Sequence, residues 1–269
     1  MCLLVVAWQT HAVYRAVLAA NRDEFHQRPS APLAPWQAGP PILAGRDLEA
    51  GGTWLGVDRE RRFGVVTNFR DLAERRPGAP SRGELIPGWL GGGHGAGHYL
   101  AQLAPAPPAY AGFNLLLGDA EHLWYASNRS DPFARPLDPG VYGLSNHLLD
   151  TPWPKLLRVR ERVRTLLEED PSGRLAPREH AQRLLGILAD RERAELHDLP
   201  PTGLPKEIEH KLSSPFVLDP QYGTRSSTVM LLTHAGELHL VERRYDPAGR
   251  TTGEDEWHLN PGHWTTSAT

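Results

Sequence analysis

A cysteine stands at position 2, and it is the only cysteine among 269 residues. Removal of the initiator methionine before so small a residue would leave Cys2 with a free α-amino group. Such an amine titrates near pH 8, so it can take the proton from its own thiol at neutral pH. The pair is a self-activated nucleophile for acyl transfer. Cysteine also packs well as a small apolar residue at the start of a buried strand, and position alone leaves both readings open. A second polar group follows the apolar run 17–20, where Asn21, Arg22, Asp23 and Glu24 come in succession. On a strand, Asn21 and Asp23 would share one face and Arg22 and Glu24 the other. One of those pairs would then point toward the strand that carries Cys2. The plainer alternative is a strand end closed by an arginine–carboxylate pair.

The elements that must position these groups can be read from periodicity. Residues 2–8 and 13–20 are apolar and joined by a short polar link, which predicts a hairpin with both strands largely buried. Residues 28–41 carry five prolines and are expected to be irregular or polyproline-like, because proline donates no ladder hydrogen bond. Residues 53–57 and 63–67 read as a second hairpin about the charged turn 58–62. Helical spacing appears at 82–90 and 96–103, and strands return at 113–118, 122–126 and 141–145. The clearest helix is 154–169, with Leu156, Val159, Val163, Leu166 and Leu167 on one stripe, Pro154 in the first turn and Thr151 as the expected cap. A second helix is expected over 177–193, and a last hairpin joins 226–233 to 237–245 about Gly236. Hairpins separated by helices predict an α+β fold with antiparallel sheets, and no domain boundary is visible within 1–269.

Composition excludes several classes. The formal net charge of -3 argues against a nucleic-acid surface built on bulk positive charge. A lone cysteine leaves no internal disulfide and no thiolate metal cluster, and no other metal-ligand set stands out. No apolar run approaches the roughly 20 residues that span a bilayer. The opening MCLLVVAW lacks a basic flank, which leaves a cytoplasmic location as the expectation. Residues 91–98 hold a Gly-x-Gly-x-x-Ala spacing, but it follows a helix rather than a strand, which argues against a dinucleotide loop. His94 and His98 in that stretch read as part of a solvated helix–helix link. Oligomeric state is not legible.

The string Asn21-Arg22-Asp23-Glu24, with MCLL before it and Arg28-Pro29 after it, closely resembles the NRDE-motif family. These are also called the transport-and-Golgi-organisation proteins of the second type. Further segments match in order: Gly45-Arg46-Asp47, Gly51-Gly52-Thr53-Trp54-Leu55-Gly56, Thr67-Asn68-Phe69-Arg70, Ser81-Arg82-Gly83, Gly112-Phe113-Asn114-Leu115, Gly143-Leu144-Ser145-Asn146, and Tyr222 to Thr228. The resemblance runs from residue 1 to about 245. It implies an Ntn-hydrolase-like αββα sandwich of two antiparallel sheets flanked by helices, formed as a single domain over 1–269.

The family is associated with intracellular haem mobilisation and with acyl-CoA and lipid homeostasis. The resemblance therefore implies a small-molecule or lipid-like ligand, with Asn21, Arg22, Glu24 and His147 as candidate ligand-binding residues. No Cys-x-x-Cys-His attachment site is present, so haem would be held reversibly and no cofactor is required. A more distant resemblance, to choloylglycine and penicillin-V-type amide hydrolases, implies a second function, an N-terminal-cysteine hydrolase of linear amides or thioesters. There Cys2 would attack, Asp23 would hold the α-amino group, Asn68 and Asn146 would stabilise the oxyanion, and Arg225 would fill the late arginine position. Those enzymes carry an arginine three residues before the aspartate; here that position is Ala20.

Overall fold

The computed structural model describes residues 3–70, 78–104 and 109–261. Along the chain run β1 (Leu3–Trp8), β2 (Tyr14–Phe25), β3 (Ser30–Pro35), β4 (Ile42–Asp47), β5 (Leu55–Asp58) and β6 (Phe63–Asn68). A 3-10 turn (Arg82–Glu84), α1 (Leu85–Leu90) and α2 (Ala96–Leu103) follow, then β7 (Phe113–Gly118), β8 (Leu123–Ser127), β9 (Ala134–Leu137) and β10 (Gly140–Leu144). The last third holds α3 (Pro154–Glu169), α4 (Pro177–Leu188), α5 (Lys206–Lys211), β11 (Tyr222–Thr233), β12 (Leu238–Tyr245) and β13 (Thr251–Leu259). The fold is α+β, with two antiparallel sheets and flanking helices, as the alternation of hairpins and helices predicts.

These elements gather into two compact units, the first drawing on 1–27, 139–145 and 149–269 and the second on 28–138 and 146–148. In the first, six strands lie in the order β10-β1-β2-β11-β12-β13. The odd-numbered residues of β1 and β2, Leu3, Val5, Val17 and Ala19 among them, pack in one core with Val159 and Val163 of α3 and Leu184, Leu185 and Leu188 of α4. Leu4, Val6, Leu18, Ala20 and Met230, on the other face, are equally buried. Continuous apolar strands therefore reflect burial on both faces, which is why β1 and β2 show no hydrophobic alternation. Lys155 of α3 is buried and donates through Nζ to the Leu212 carbonyl at 2.7 Å.

In the second unit, seven strands lie in the order β3-β4-β5-β6-β7-β8-β9. Ile42, Val66, Phe113, Leu115 and Leu117 pack with Ile86, Trp89 and Leu90 of α1 and Leu100 of α2. A Cβ on Gly52 would lie 2.4 Å from the backbone of Gly83, and the Thr53 N–H donates to the Gly83 carbonyl at 3.0 Å. The glycines of two separate motif segments are thus a backbone-to-backbone contact. Arg28 and Asp47, also motif residues, form an ion pair at 2.7 Å. Burial pushes the Asp47 carboxyl up, but Arg28 and the N–H groups of Ala50 and Glu49 hold it below its ordinary value.

Three local expectations change. Residues 28–41 are not wholly irregular, because β3 lies within them. It is the edge of its sheet, where the N–H that proline lacks needs no neighbour, and a register shift between Ala31 and Ala34 passes over Pro32. Trp153, not Thr151, caps α3, and it does so without a side-chain bond. The second long helix stops at Leu188 rather than continuing to 193, since the carbonyls that follow turn to other partners: Leu188 to Asn21 and Asp190 to the Phe216 N–H.

Candidate functional site

Strand β2 continues five residues beyond the apolar run, to Phe25, so that Asn21, Arg22, Asp23 and Glu24 all lie within it and pair with β11. Asn21 is 0% exposed. Its Nδ2 donates to the carbonyls of Leu188 and Pro215, each at 2.9 Å, and its Oδ1 accepts from the Ser227 hydroxyl at 2.6 Å. Ser227 in turn accepts from the Tyr245 phenol at 3.1 Å. The amide faces the helices and joins the end of α4 and the 215 segment to the sheet. Asp23 is also buried, and its Oδ1 accepts from the Thr224 hydroxyl at 2.7 Å. The Val217 N–H donates to that same hydroxyl oxygen at 2.9 Å, which directs the Thr224 proton toward Asp23. A Cβ on Gly223 would lie 2.8 Å from the Val217 carbonyl, so only glycine lets the two backbones approach in this way.

Cys2 lies outside the described residues. Leu3, which follows it, has Asn21 as its cross-strand partner. Arg225 occupies the irregularity between the Asp23–Thr224 and Arg22–Ser226 pairs, a bulge that takes it out of the ladder register. Its guanidinium donates to the Phe25 carbonyl at 2.9 Å. Arg22 is buried on the face opposite Asn21, in a cross-strand row with Ser226 and Arg244. Arg244 is paired with Asp255 and lies 3.8 Å from the buried Glu242. Glu24 is half-buried and accepts from the Phe25 N–H at 2.9 Å.

Asn68, Asn146 and His147 come together in the second unit. Asn146, in a left-handed conformation with φ of 55°, donates through Nδ2 to the Asn68 carbonyl at 3.1 Å, and its own carbonyl accepts from the Arg70 N–H at 2.8 Å. Asparagine tolerates that conformation better than most side chains. The His147 ring leans on Phe69 with centroids 4.9 Å apart, and burial pulls its pKa down. Beneath them Asn114, fully buried on β7, donates to the His147 carbonyl at 2.9 Å and to Thr67 at 3.2 Å, and accepts from the Tyr125 phenol at 2.8 Å.

Reading the sequence for site residues passes over Asn114, Thr224, Ser227, Glu242, Arg244 and Tyr245. Some signal existed: Asn114 interrupts Phe113 and Leu115–Leu117. A polar group in such a place needs a partner. Among the described residues no cluster of three or more His, Cys, Asp or Glu is placed to hold a metal ion, and no helix is long and apolar enough to cross a membrane. The His94 and His98 rings lie 4.4 Å apart beside the α1–α2 link.

A family model described as Transport and Golgi organisation 2 matches residues 1–247. The chain is 34% identical over 279 residues to the Transport and Golgi organization protein 2 homolog of Bos taurus, covering 96% of this chain and 99% of the relative. It is 32% identical over 259 residues to the Homo sapiens homolog, covering 90% and 92%. Transport and Golgi organization protein 2 of Drosophila melanogaster is 25% identical over 254 residues, covering 88% and 89%. Among solved structures, a Caenorhabditis elegans N-acylethanolamine-hydrolyzing acid amidase ortholog superposes with a TM-score of 0.47 at 11% identity, covering 86% of this chain and 92% of that one.

Proposed function

Because the chain belongs to the Transport and Golgi organisation 2 family, we propose that it binds and handles a small amphipathic ligand, haem or an acyl-CoA-like lipid. The observation that carries this reading is the Asn146–His147 segment. Its imidazole lies against the Phe69 ring, and its backbone is held by Asn114. Burial favours the neutral imidazole at pH 7, which is the form that offers a nitrogen lone pair to iron. An aromatic face beside a neutral imidazole suits a flat, apolar, iron-bearing molecule. Titration with haem is expected to give a saturable Soret shift, and His147→Ala should weaken binding by about tenfold, roughly 1.4 kcal/mol. Absence of a saturable shift, together with no retention of acyl-CoA, overturns the proposal.

A second reading rests on Asp23. Its carboxylate is oriented by Thr224, on a strand paired with Leu3, the residue after Cys2. In this reading the Cys2 thiol adds to an amide or thioester carbonyl, and its α-amine takes the thiol proton and passes it to the leaving group. Water then cleaves the acyl-cysteine, restoring the thiol and releasing the acid. A thiol-directed acylating probe should add its acyl mass to Cys2. Intact-mass measurement that finds Met1 retained on active protein removes this mechanism, since the amine would be blocked.

A further inference from the structure

The helix side of the six-stranded sheet holds ionisable groups that neither ligand binding nor acyl transfer uses. His180, in the first half of α4, is 0% exposed, and neither of its ring nitrogens has a hydrogen-bond partner. Tyr14 of β2 meets it edge-on at 5.3 Å between ring centroids, and His11, in the β1–β2 connection, does so at 6.4 Å. His11 is satisfied. Its Nδ1 accepts from the N–H groups of Val13 and Tyr14, which leaves Nε2 carrying the proton donated to the Asp170 carbonyl at 2.7 Å. A neutral His11 therefore ties the hairpin to the end of α3. A cleft of about 430 Å³, lined by Thr10, His11, Leu167 and Pro171, brings solvent to this ring. His180, one ring further in, is sealed.

The other groups around α4 offer a proton on His180 no clear acceptor. Asp170 faces it, but that carboxylate accepts from the N–H groups of Arg174 and Leu175, each at 2.8 Å. Burial opposes a positive charge there most and Arg183 adds to that, while the Asp170 carboxylate favours it. Farther along the sheet, Arg178 of α4 lies 3.6 Å from Glu256, and Gln182 is bonded to Glu254 and Arg243. His239 of β12 shares the helix-facing side with Val241, with its Nε2 3.4 Å from Glu256 and its ring against His258. It too is buried.

We propose that α4 is an acid-released latch: protonation of His180 frees the helix from the sheet, and because the Leu188 carbonyl at its end accepts from Asn21, release unseats Asn21. The device stands on the helix side of one unit and does not depend on which ligand the protein takes. A charged imidazole in a sealed site without an acceptor is costly, and moving the helix to admit water is the available relief. The coupling to Asn21 is direct, through one hydrogen bond at 2.9 Å.

Hydrogen exchange on the full chain tests this, with rates corrected for the intrinsic effect of pH. Between about pH 7.5 and about pH 5.5, α4 amides should lose about tenfold more protection than those of β6 and β7, where no such histidine is buried. His180→Phe should abolish the difference, whereas His239→Phe should leave most of it. Equal loss in both units, or an acid response that survives His180→Phe or disappears with His239→Phe, overturns the proposal. Should His180→Phe fail to fold, the imidazole proton resonances of the unaltered protein decide. A His180 ring that titrates above about pH 6.5 while α4 stays protected refutes the latch.

Discussion

The two units bury polarity differently. Beneath and within the six-stranded sheet the sealed groups include many that ionise, Arg22, Asp23, His180, His239 and Glu242, beside neutral ones such as Asn21 and Ser227. Within the seven-stranded sheet they are neutral amides and hydroxyls, Thr67, Asn114 and Ser127, and the ionisable exceptions, Asp58 and Arg61, sit at a hairpin end. Asp58 there accepts from Arg62 at 2.6 Å, although burial still pushes its carboxyl above the ordinary value. Neutral groups keep their hydrogen bonds across the pH range in which proteins work, whereas buried histidines do not. The first unit is therefore expected to answer to acid more strongly than the second, where burial pulls down the half-buried His147.

The sharpest way to break that contrast is to remove the amide that anchors each side. Asn21→Ala deletes three hydrogen bonds and leaves two buried carbonyls unmet, so urea unfolding should show a loss of about 3 kcal/mol. Asn114→Ala deletes three bonds as well, and the released His147 segment can turn to solvent, so about 2 kcal/mol is expected. A larger loss from Asn114 would reverse the ranking of the two units.

Acid comes next. Burial, with help from His258 and Arg178, pulls His239 from 6.5 to about 4. With the folded value below the unfolded one, the unfolded chain binds the proton first, so stability is complete above about pH 6.5 and falls as the pH drops toward 4. Between pH 7 and 5 this single group should cost about 2 kcal/mol, and His239→Phe should flatten the pH dependence of the urea midpoint accordingly. An unchanged slope would mean that the folded ring takes up its proton over the same pH range as the unfolded one.

Two smaller effects refine the account of the Asn21–Glu24 strand. Thr224→Val removes the hydroxyl that Asp23 accepts from and should cost about 1.5 kcal/mol in urea unfolding. Tyr245→Phe removes the outermost bond of the Tyr245–Ser227–Asn21 chain and should cost about 1 kcal/mol in a thermal melt. If Tyr245→Phe costs as much as Asn21→Ala, the chain acts as one cooperative unit rather than as a relay of separable bonds.

Elements whose signals are local were legible in the sequence. The bounds of α3 follow from Pro154 and the apolar stripe, and the β5–β6 and β11–β12 hairpins from apolar runs flanking polar turns. Elements that depend on a neighbour were not. β3 looks irregular because of its prolines and becomes a strand only as the edge beside β4. β13 is mostly polar and, among the described residues, pairs with β12 alone, so no hydrophobic period marks it. The candidate site divides in the same way. Asn68, Asn146 and His147 were identifiable as residues, and the structure brings them together, but their buried support, Asn114 with Tyr125, showed only as one polar residue in an apolar strand.

By itself the sequence determined that this chain forms antiparallel hairpins between helices and that four polar residues end an apolar strand. Alternation also required Asn21 and Asp23 to share a face, since successive strand residues point to opposite sides. Which face that is, only the tertiary structure decided. The carbonyls that fix Asn21 lie 167 and 194 residues away, and the bulge that takes Arg225 out of register arises where β11 meets β2. A period of two sets relative orientation along one strand; the absolute side depends on what packs there, and that information is spread across the whole chain.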